Sequence, residues 1–196
     1  MKVMQLSKLT VFLKTGEENL HVNKTPLPYS LLDFWRWSVS DILSNATRGR
    51  FAEFIVATAT GVDITQVRDE WGAFDLITPD GIKVEVKSAA YIQSWDQKAL
   101  SKIRFSTKLS QPWDAEIHKR STIAMRSADI YVFCLLHHDH KPSCDPLNMD
   151  QWEFFVLSTS ELNAYERSQH SITLKSLRNL TNAVKYEDLN KKILGI

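Results

Sequence analysis

The stretch that decides how the chain folds is Ala73-Phe74-Asp75-Leu76-Ile77-Thr78-Pro79-Asp80-Gly81-Ile82-Lys83-Val84-Glu85-Val86-Lys87. Pro79-Asp80-Gly81 is turn chemistry: proline presets one backbone angle, aspartate bonds locally, and glycine accepts a left-handed conformation. Ile82 to Lys87 alternates apolar and charged residues with period two, which predicts a strand with two unlike faces. Val84 and Val86 then point to one face, Glu85 and Lys87 to the other. With a three-residue loop and Gly81 left-handed, Thr78 pairs with Ile82 and Asp75 lands opposite Glu85. Their Cβ atoms are then about 4.5–5.5 Å apart. A two-residue loop makes the pair diagonal, about 7–8 Å apart, still within reach of a shared ion.

Two carboxylates facing each other repel unless a cation sits between them. An all-oxygen site suits Mg²⁺, with Mn²⁺ as an alternative, since both bind through one or two carboxylates plus water and substrate phosphate. The Val86 carbonyl can add a ligand. Lys87, one strand repeat beyond Glu85, can orient an attacking water and stabilise charge building on a phosphate. A metal there lowers the pKa of the water and holds the phosphate. These parts suit metal-assisted phosphodiester hydrolysis. Glu-x-Lys alone is common, and its plain alternative is a cross-strand or same-face ion pair, with Asp75 as a surface carboxylate near the turn.

Outward from the hairpin, Arg48 to Thr60 is expected to be a helix with Phe51, Phe54, Ile55 and Ala59 as its apolar stripe and Gly61 as its stop. Before it, Leu31, Phe34, Trp35, Val39 and Ile42 recur at helical spacing, Thr25-Pro26-Leu27-Pro28 is expected to be a connector, and Leu9–Leu13 a short strand. After it, strands are expected over Lys102–Thr107, over the wholly apolar Ala128–Leu136, and over Trp152–Leu157, with a terminal helix over Tyr186–Leu194. Helices before and after a run of strands give an α/β domain.

Asp75 followed by Glu85-Val86-Lys87 across a short turn resembles the D…(D/E)xK signature of the PD-(D/E)xK nuclease superfamily. That group includes restriction enzymes, junction resolvases and repair and phage nucleases. The family often places a glutamate on the helix before the hairpin, and Glu53 stands in that place here; its plain alternative is a capping or solvent-facing helix residue. The resemblance covers Arg48 to Leu136. Phe74 replaces the proline of the family name, a position that varies in the superfamily. The resemblance implies a restriction-endonuclease-like core, a mixed central sheet flanked by helices. It implies one nuclease domain over residues 1–196, with a core at about 48–157, an N-terminal helical extension over 1–47 and a C-terminal one over 158–196. It further implies a Mg²⁺-dependent endonuclease acting on DNA, of restriction, repair or phage-defence type, working as a homodimer. Asp75, Glu85, Lys87 and Glu53 become the catalytic set, with Asp75, Glu85, Val86 and Glu53 as metal ligands. An inactive nuclease-like fold that binds nucleic acid or a partner, or a nuclease acting on RNA, are the alternatives.

Candidate nucleic-acid contacts follow the hairpin: Ser88 and Gln93, then Lys98, Lys102, Arg104 and Lys108 in a stretch to Arg126 that holds seven basic residues against Asp114 and Glu116. Trp95, Trp113 and His118 accompany them. The chain as a whole carries a formal net charge of +1, so bulk charge alone does not hold it on nucleic acid. His137-His138-Asp139-His140 and Cys144 hint at zinc, yet the spacing fits no regular metal motif and a polar loop is the expectation. Two cysteines in 196 residues make no disulfide framework. No apolar run of about 18 residues offers a membrane span, so a cytoplasmic protein is expected.

Overall fold

The computed structural model describes residues 9–111, 113–114 and 119–196. His118 lies outside them, as do the side chains of Trp113, Asp114, Lys119 and Arg120. The chain divides into two compact units: one reaches Ser40 and takes in Asp63–Arg68, and the other comprises Asp41–Val62 and Asp69–Ile196.

The first unit is a hairpin followed by a helix. Strands β1 (Asn19–Val22) and β2 (Thr25–Ser30) are antiparallel. Asn23 and Lys24 join them, both at positive φ, as a two-residue turn that matches strand twist requires. Thr25 to Pro28 is therefore strand and not connector. Pro26 and Pro28 are two residues apart, so their nitrogens face the same edge, and a two-stranded ribbon leaves one edge unladdered. Leu9–Leu13, expected as a strand, forms no ladder. Helix α1 (Leu31–Val39) starts at a capping box in which Ser30 and Asp33 satisfy each other's backbone N–H groups. Gly16, at φ 94°, packs under Trp35, whose ring would lie 3.0 Å from any Cβ added there.

The second unit holds α2 (Asn45–Thr60), β3 (Leu76–Ile77), β4 (Lys83–Ala90), β5 (Arg104–Ser106), β6 (Trp113–Asp114), β7 (Lys119–Arg120), β8 (Ile130–Leu136), β9 (Trp152–Ser158), α3 (Thr159–Ala164), β10 (Ser171–Thr173), α4 (Leu174–Leu180) and α5 (Leu189–Leu194). Its sheet has the order β3-β4-β8-β9. The outer pairs are antiparallel and β4 runs parallel to β8, so the sheet is mixed. All seven residues of β8 are buried, as its unbroken apolar sequence requires of a strand covered on both faces.

One face carries Val84, Val86, Val132 and Phe154 against Ile55 and Val56 of α2 and Leu189 and Ile193 of α5. The other carries Tyr131, Phe133, Phe155 and Leu157 against Phe105 of β5, Leu162 of α3, Ile172 of β10 and Leu177 of α4. The protein is thus mixed α/β, with a mixed sheet flanked by helices. No helix among the described residues is long and apolar enough to cross a membrane.

Three further expectations change in the second unit. The buried stripe of α2 is Ala52, Ile55 and Val56, while Phe54 is 49% exposed. The small Ala52 brings the helix close to the sheet, and Phe51 packs at its margin against Trp152, ring centroids 6.4 Å apart. The strand expected near Lys102–Thr107 exists as β5 but leaves the main sheet and pairs with β10, Phe105 opposite Ile172. Its single inward residue, Phe105, dives beneath β8, while Arg104 and Ser106 face out. The last helix begins later than expected, since Tyr186–Asp188 form a 3-10 turn ahead of α5. Gly61 does stop α2: it is left-handed at φ 72° and its N–H returns to the Ala57 carbonyl.

Candidate active site

The turn has the geometry that proline, aspartate and glycine dictate. Gly81 is left-handed at φ 83°, its N–H donates to the Thr78 carbonyl at 2.9 Å, and the Thr78 N–H donates to the Ile82 carbonyl at 3.0 Å. Leu76 pairs with Val84 and Ile77 with Lys83. Extending that register by one step sets Asp75 opposite Glu85. The ladder loosens there: the Asp75 N–H donates to the Val84 carbonyl at 3.0 Å, and Asp75 Oδ2 accepts the Val86 N–H at 2.7 Å. A side chain has replaced a backbone carbonyl as acceptor, which pins the carboxylate against the Val86 peptide. That is the same residue whose carbonyl the sequence offers as a ligand.

Glu85 and Lys87 project to the face opposite the two valines, half-buried, with Lys87 Nζ in contact with Glu85 Oε1. Parallel pairing places Tyr131 of β8 beside Glu85 and Phe133 beside Lys87. Burial pushes the Glu85 carboxyl up from its ordinary value, Lys87 pulls it down, and the negative charges of Asp75 and Glu53 push it up again. Glu53, on α2, is therefore near enough for its field to reach Glu85, and the four residues named from sequence share one electrostatic neighbourhood. Tyr131 belongs there as well. Its hydroxyl is pushed up to about 12, by burial first and then by Glu85. The sequence around Tyr131 is a plain apolar strand and gives no sign of this; only the pairing of β8 with β4 does.

The donor set is oxygen-rich and carries like charges held close. Among the described residues, no three carboxylate, imidazole or thiol groups stand together as a ready-made metal cage. Such a site fits Mg²⁺ or Mn²⁺, which keep several waters and share substrate phosphate, better than a metal that needs a full protein cage.

The raised Glu85 carboxyl has a consequence for stability. A raised folded value means the fold favours the protonated form. The favourable contribution is complete below the ordinary value of 4.5 and is lost as pH rises through the raised value. In thermal melts with EDTA, Glu85→Gln is expected to melt above the natural protein at pH 7 to 8, and the gap is expected to close below pH 4.5. A Glu85→Gln variant that melts lower at pH 7 would show that the Lys87 ion pair outweighs burial and like-charge repulsion.

The candidate contacts divide. Gln93 is 5% exposed and its amide is engaged inside the fold: Oε1 accepts from Arg48 at 3.2 Å, and Nε2 donates to the Ala90 carbonyl at 3.0 Å and to Ser101 Oγ at 3.1 Å. Arg48 itself is buried, bonds to the Leu43 carbonyl and to Asn45 Oδ1, and is lowered from its ordinary pKa mainly by burial. Ser88 is half-buried on β4, whereas Lys98, Lys102, Arg104 and Lys108 are exposed. In the histidine-rich loop, His138 and His140 each lie 2.8 Å from Ser143 Oγ, and no metal cluster forms there among the described residues. Cys134 is buried and Cys144 half-buried, both as free thiols.

No curated protein matches the chain. The family model described as bacteriophage T4 endonuclease IV matches residues 3–176, which include α1, the hairpin, the whole main sheet and β10. With the match spanning most of its length, the chain belongs to the bacteriophage T4 endonuclease IV family and is a nuclease.

Proposed function

We propose that the protein is a Mg²⁺-dependent endonuclease that hydrolyses phosphodiester bonds in DNA, at a PD-(D/E)xK-type site built from Asp75, Glu85, Lys87 and Glu53. The observation that carries this is the clustering on one hairpin: Asp75 pinned to the Val86 peptide, and Glu85 raised by burial and by two neighbouring carboxylates while Lys87 touches it. Family membership supports the nuclease half of the statement.

Asp75 and Glu85, with the Val86 carbonyl next in sequence, are the residues that would hold the ion, and Glu53 would serve as an outer ligand through water. When bound, the ion supplies Lewis-acid polarisation of a phosphate oxygen and a more acidic water. The chain's own contribution is positional and electrostatic. Lys87, tethered by Glu85, presents ammonium protons where an attacking water and a non-bridging phosphate oxygen would lie. The water oxygen bonds to phosphorus and gives up a proton to solvent, the bond from phosphorus to the departing deoxyribose oxygen breaks and that oxygen takes up a proton from solvent, and the Lys87 ammonium offsets the charge that builds. The restriction-endonuclease-like core, a cytoplasmic location and a role in restriction, repair or phage defence belong to the same proposal.

Supercoiled plasmid and linear duplex, incubated with the protein and Mg²⁺ or Mn²⁺, are expected to be cut, and EDTA is expected to abolish cutting. Direct linearisation of plasmid would support paired sites in a homodimer, and nicking alone would support a single site. If neither metal gives cutting of any DNA form while RNA is degraded, the substrate assignment fails and the RNA alternative takes its place.

A further inference from the structure

A pocket of about 450 Å³ opens beyond the end of β4, lined by Lys102, Arg104 and Lys175, with Tyr91, Ser101 and Thr173 beside them. Three distant stretches of chain build it. Antiparallel pairing of β5 with β10 sets Thr173 opposite Arg104, and Lys175 follows on the first turn of α4. The Ser101 N–H donates to the Tyr91 carbonyl at 3.0 Å and ties the approach to β5 onto the end of β4. Ile103 and Leu174, both nearly buried, give the pocket an apolar floor.

Arg50, Lys87 and Arg178 each pair with a glutamate, at Glu70, Glu85 and Glu153. Among the described residues, Lys102, Arg104 and Lys175 form no ion pair, although like charges gathered in a concavity repel. An anion held there would supply the counter-charge that no described residue does. Its position matters as well. Tyr91 follows Ala90, the last residue of β4, four residues beyond Lys87, which sets the pocket's edge about 13 Å along the chain direction from Lys87 at a rise of about 3.3 Å per residue.

We infer that this pocket is a second phosphate site, which grips a backbone phosphodiester of DNA with Lys102, Arg104 and Lys175 while the scissile phosphate lies at Lys87. The assignment rests on the DNA-cutting activity proposed above. The apolar floor suits the deoxyribose next to the gripped phosphate, and the contacts read backbone and not base, so they fix register without setting sequence preference.

The test is fluorescence anisotropy of a labelled duplex in EDTA, where nothing is cut, over a salt series. Each lost phosphate contact lowers the steepness of log K against log salt by about 0.9. Arg104→Ala with Lys175→Ala is expected to lower it by about 2 and to weaken binding across all duplex sequences. Lys191→Ala with Lys192→Ala, an equal charge loss on α5 at the other face of the sheet, is expected to leave the slope as it was. Both pocket side chains are exposed. Should their double substitution still lose the fold, the single variants Lys102→Ala and Lys175→Ala, at about one unit of slope each, carry the same test. An unchanged slope in the pocket variants, or an equal fall in the α5 variant, overturns the assignment. If the natural protein cuts and binds DNA under the plasmid conditions while the pocket variants keep its slope, the pocket alone is refuted. If the natural protein neither binds nor cuts, the functional proposal fails and the pocket assignment falls with it.

Discussion

Lys87→Ala is expected to lower the rate of DNA cutting by about 10²–10³, the usual cost of removing one preorganised group aimed at developing charge, or about 2.7–4 kcal/mol of barrier. The fold is expected to survive, because the Lys87 side chain is partly open to solvent and its ion pair is with the neighbouring Glu85 on the same strand. A loss of rate alone would not separate a chemical role from a merely structural one. The pH profile does. Lys87 is the largest influence holding the Glu85 carboxyl down; burial, Asp75 and Glu53 all act upward. Without the ammonium, Glu85 ionises at higher pH, so the acid limb of the residual activity is expected to move toward alkaline pH. The measurement is initial rate against pH with Mg²⁺ well below saturation, where the limb reads the metal-free site, for the natural protein and the Lys87→Ala variant. A rate within a few-fold of the natural one would remove Lys87 from the machinery. A fall in rate with an unmoved acid limb would break the link between Lys87 and Glu85.

Why was so much of this neighbourhood legible in the sequence, and so little of what surrounds it? The hairpin is local. Proline, aspartate and glycine in consecutive positions fix the loop, the loop fixes the register, and period-two alternation fixes the faces. Nothing beyond the Ala73–Lys87 stretch has to be known to set Asp75 across from Glu85. The buried strand β8 is legible for another local reason, since a run of seven apolar residues rich in β-branched and aromatic side chains is too short for a typical helix and suits a strand covered on both sides. Pairing between distant segments leaves no such trace. Lys102–Thr107 reads as a strand, but no pattern in it names Ser171–Thr173 as its partner, and that pairing is what brings Lys175 beside Arg104. Tyr131 reaches Glu85 only because β8 lies parallel to β4 in one register and no other. In α2 one bulky residue misleads: Phe51, Ile55 and Ala59 of the expected stripe do pack on the core, yet close approach to the sheet selects the small Ala52 and leaves Phe54 turned outward. The prolines of β2 misled in the same manner, because an edge position tolerates what a central strand forbids. The family match spans residues on both sides of the hairpin, including the stretch before Arg48 that the signature leaves unexplained.

Asp75→Asn and Asp75→Ala are expected to fail differently, and the difference tests whether one carboxylate does two jobs. Its Oδ2 accepts the Val86 N–H at 2.7 Å, and its charge helps to raise Glu85. An asparagine keeps an oxygen acceptor of nearly the same shape and loses the charge. Asp75→Asn should therefore keep the bond to Val86 and melt above Asp75→Ala, while cutting falls by at least about 10² as an anionic ligand is lost. An alanine removes charge and acceptor together. The Val86 N–H, part-buried, is then left without that acceptor at a cost of about 1–3 kcal/mol. In a chain of this size that corresponds to about 2–4 °C of melting temperature per kcal/mol. Asp75→Ala should thus be as inactive as Asp75→Asn and clearly less stable. Calorimetry in EDTA and a plasmid assay in Mg²⁺, on the same preparations, read both quantities. Equal melting of the two variants would mean that the bond to Val86 is not held in solution, and with it would go the pinned peptide that places the Val86 carbonyl at the site. Full activity in Asp75→Asn would mean that the carboxylate's charge is dispensable, and the hairpin would then be a structural ion-pair motif and the catalytic centre of this nuclease would lie elsewhere.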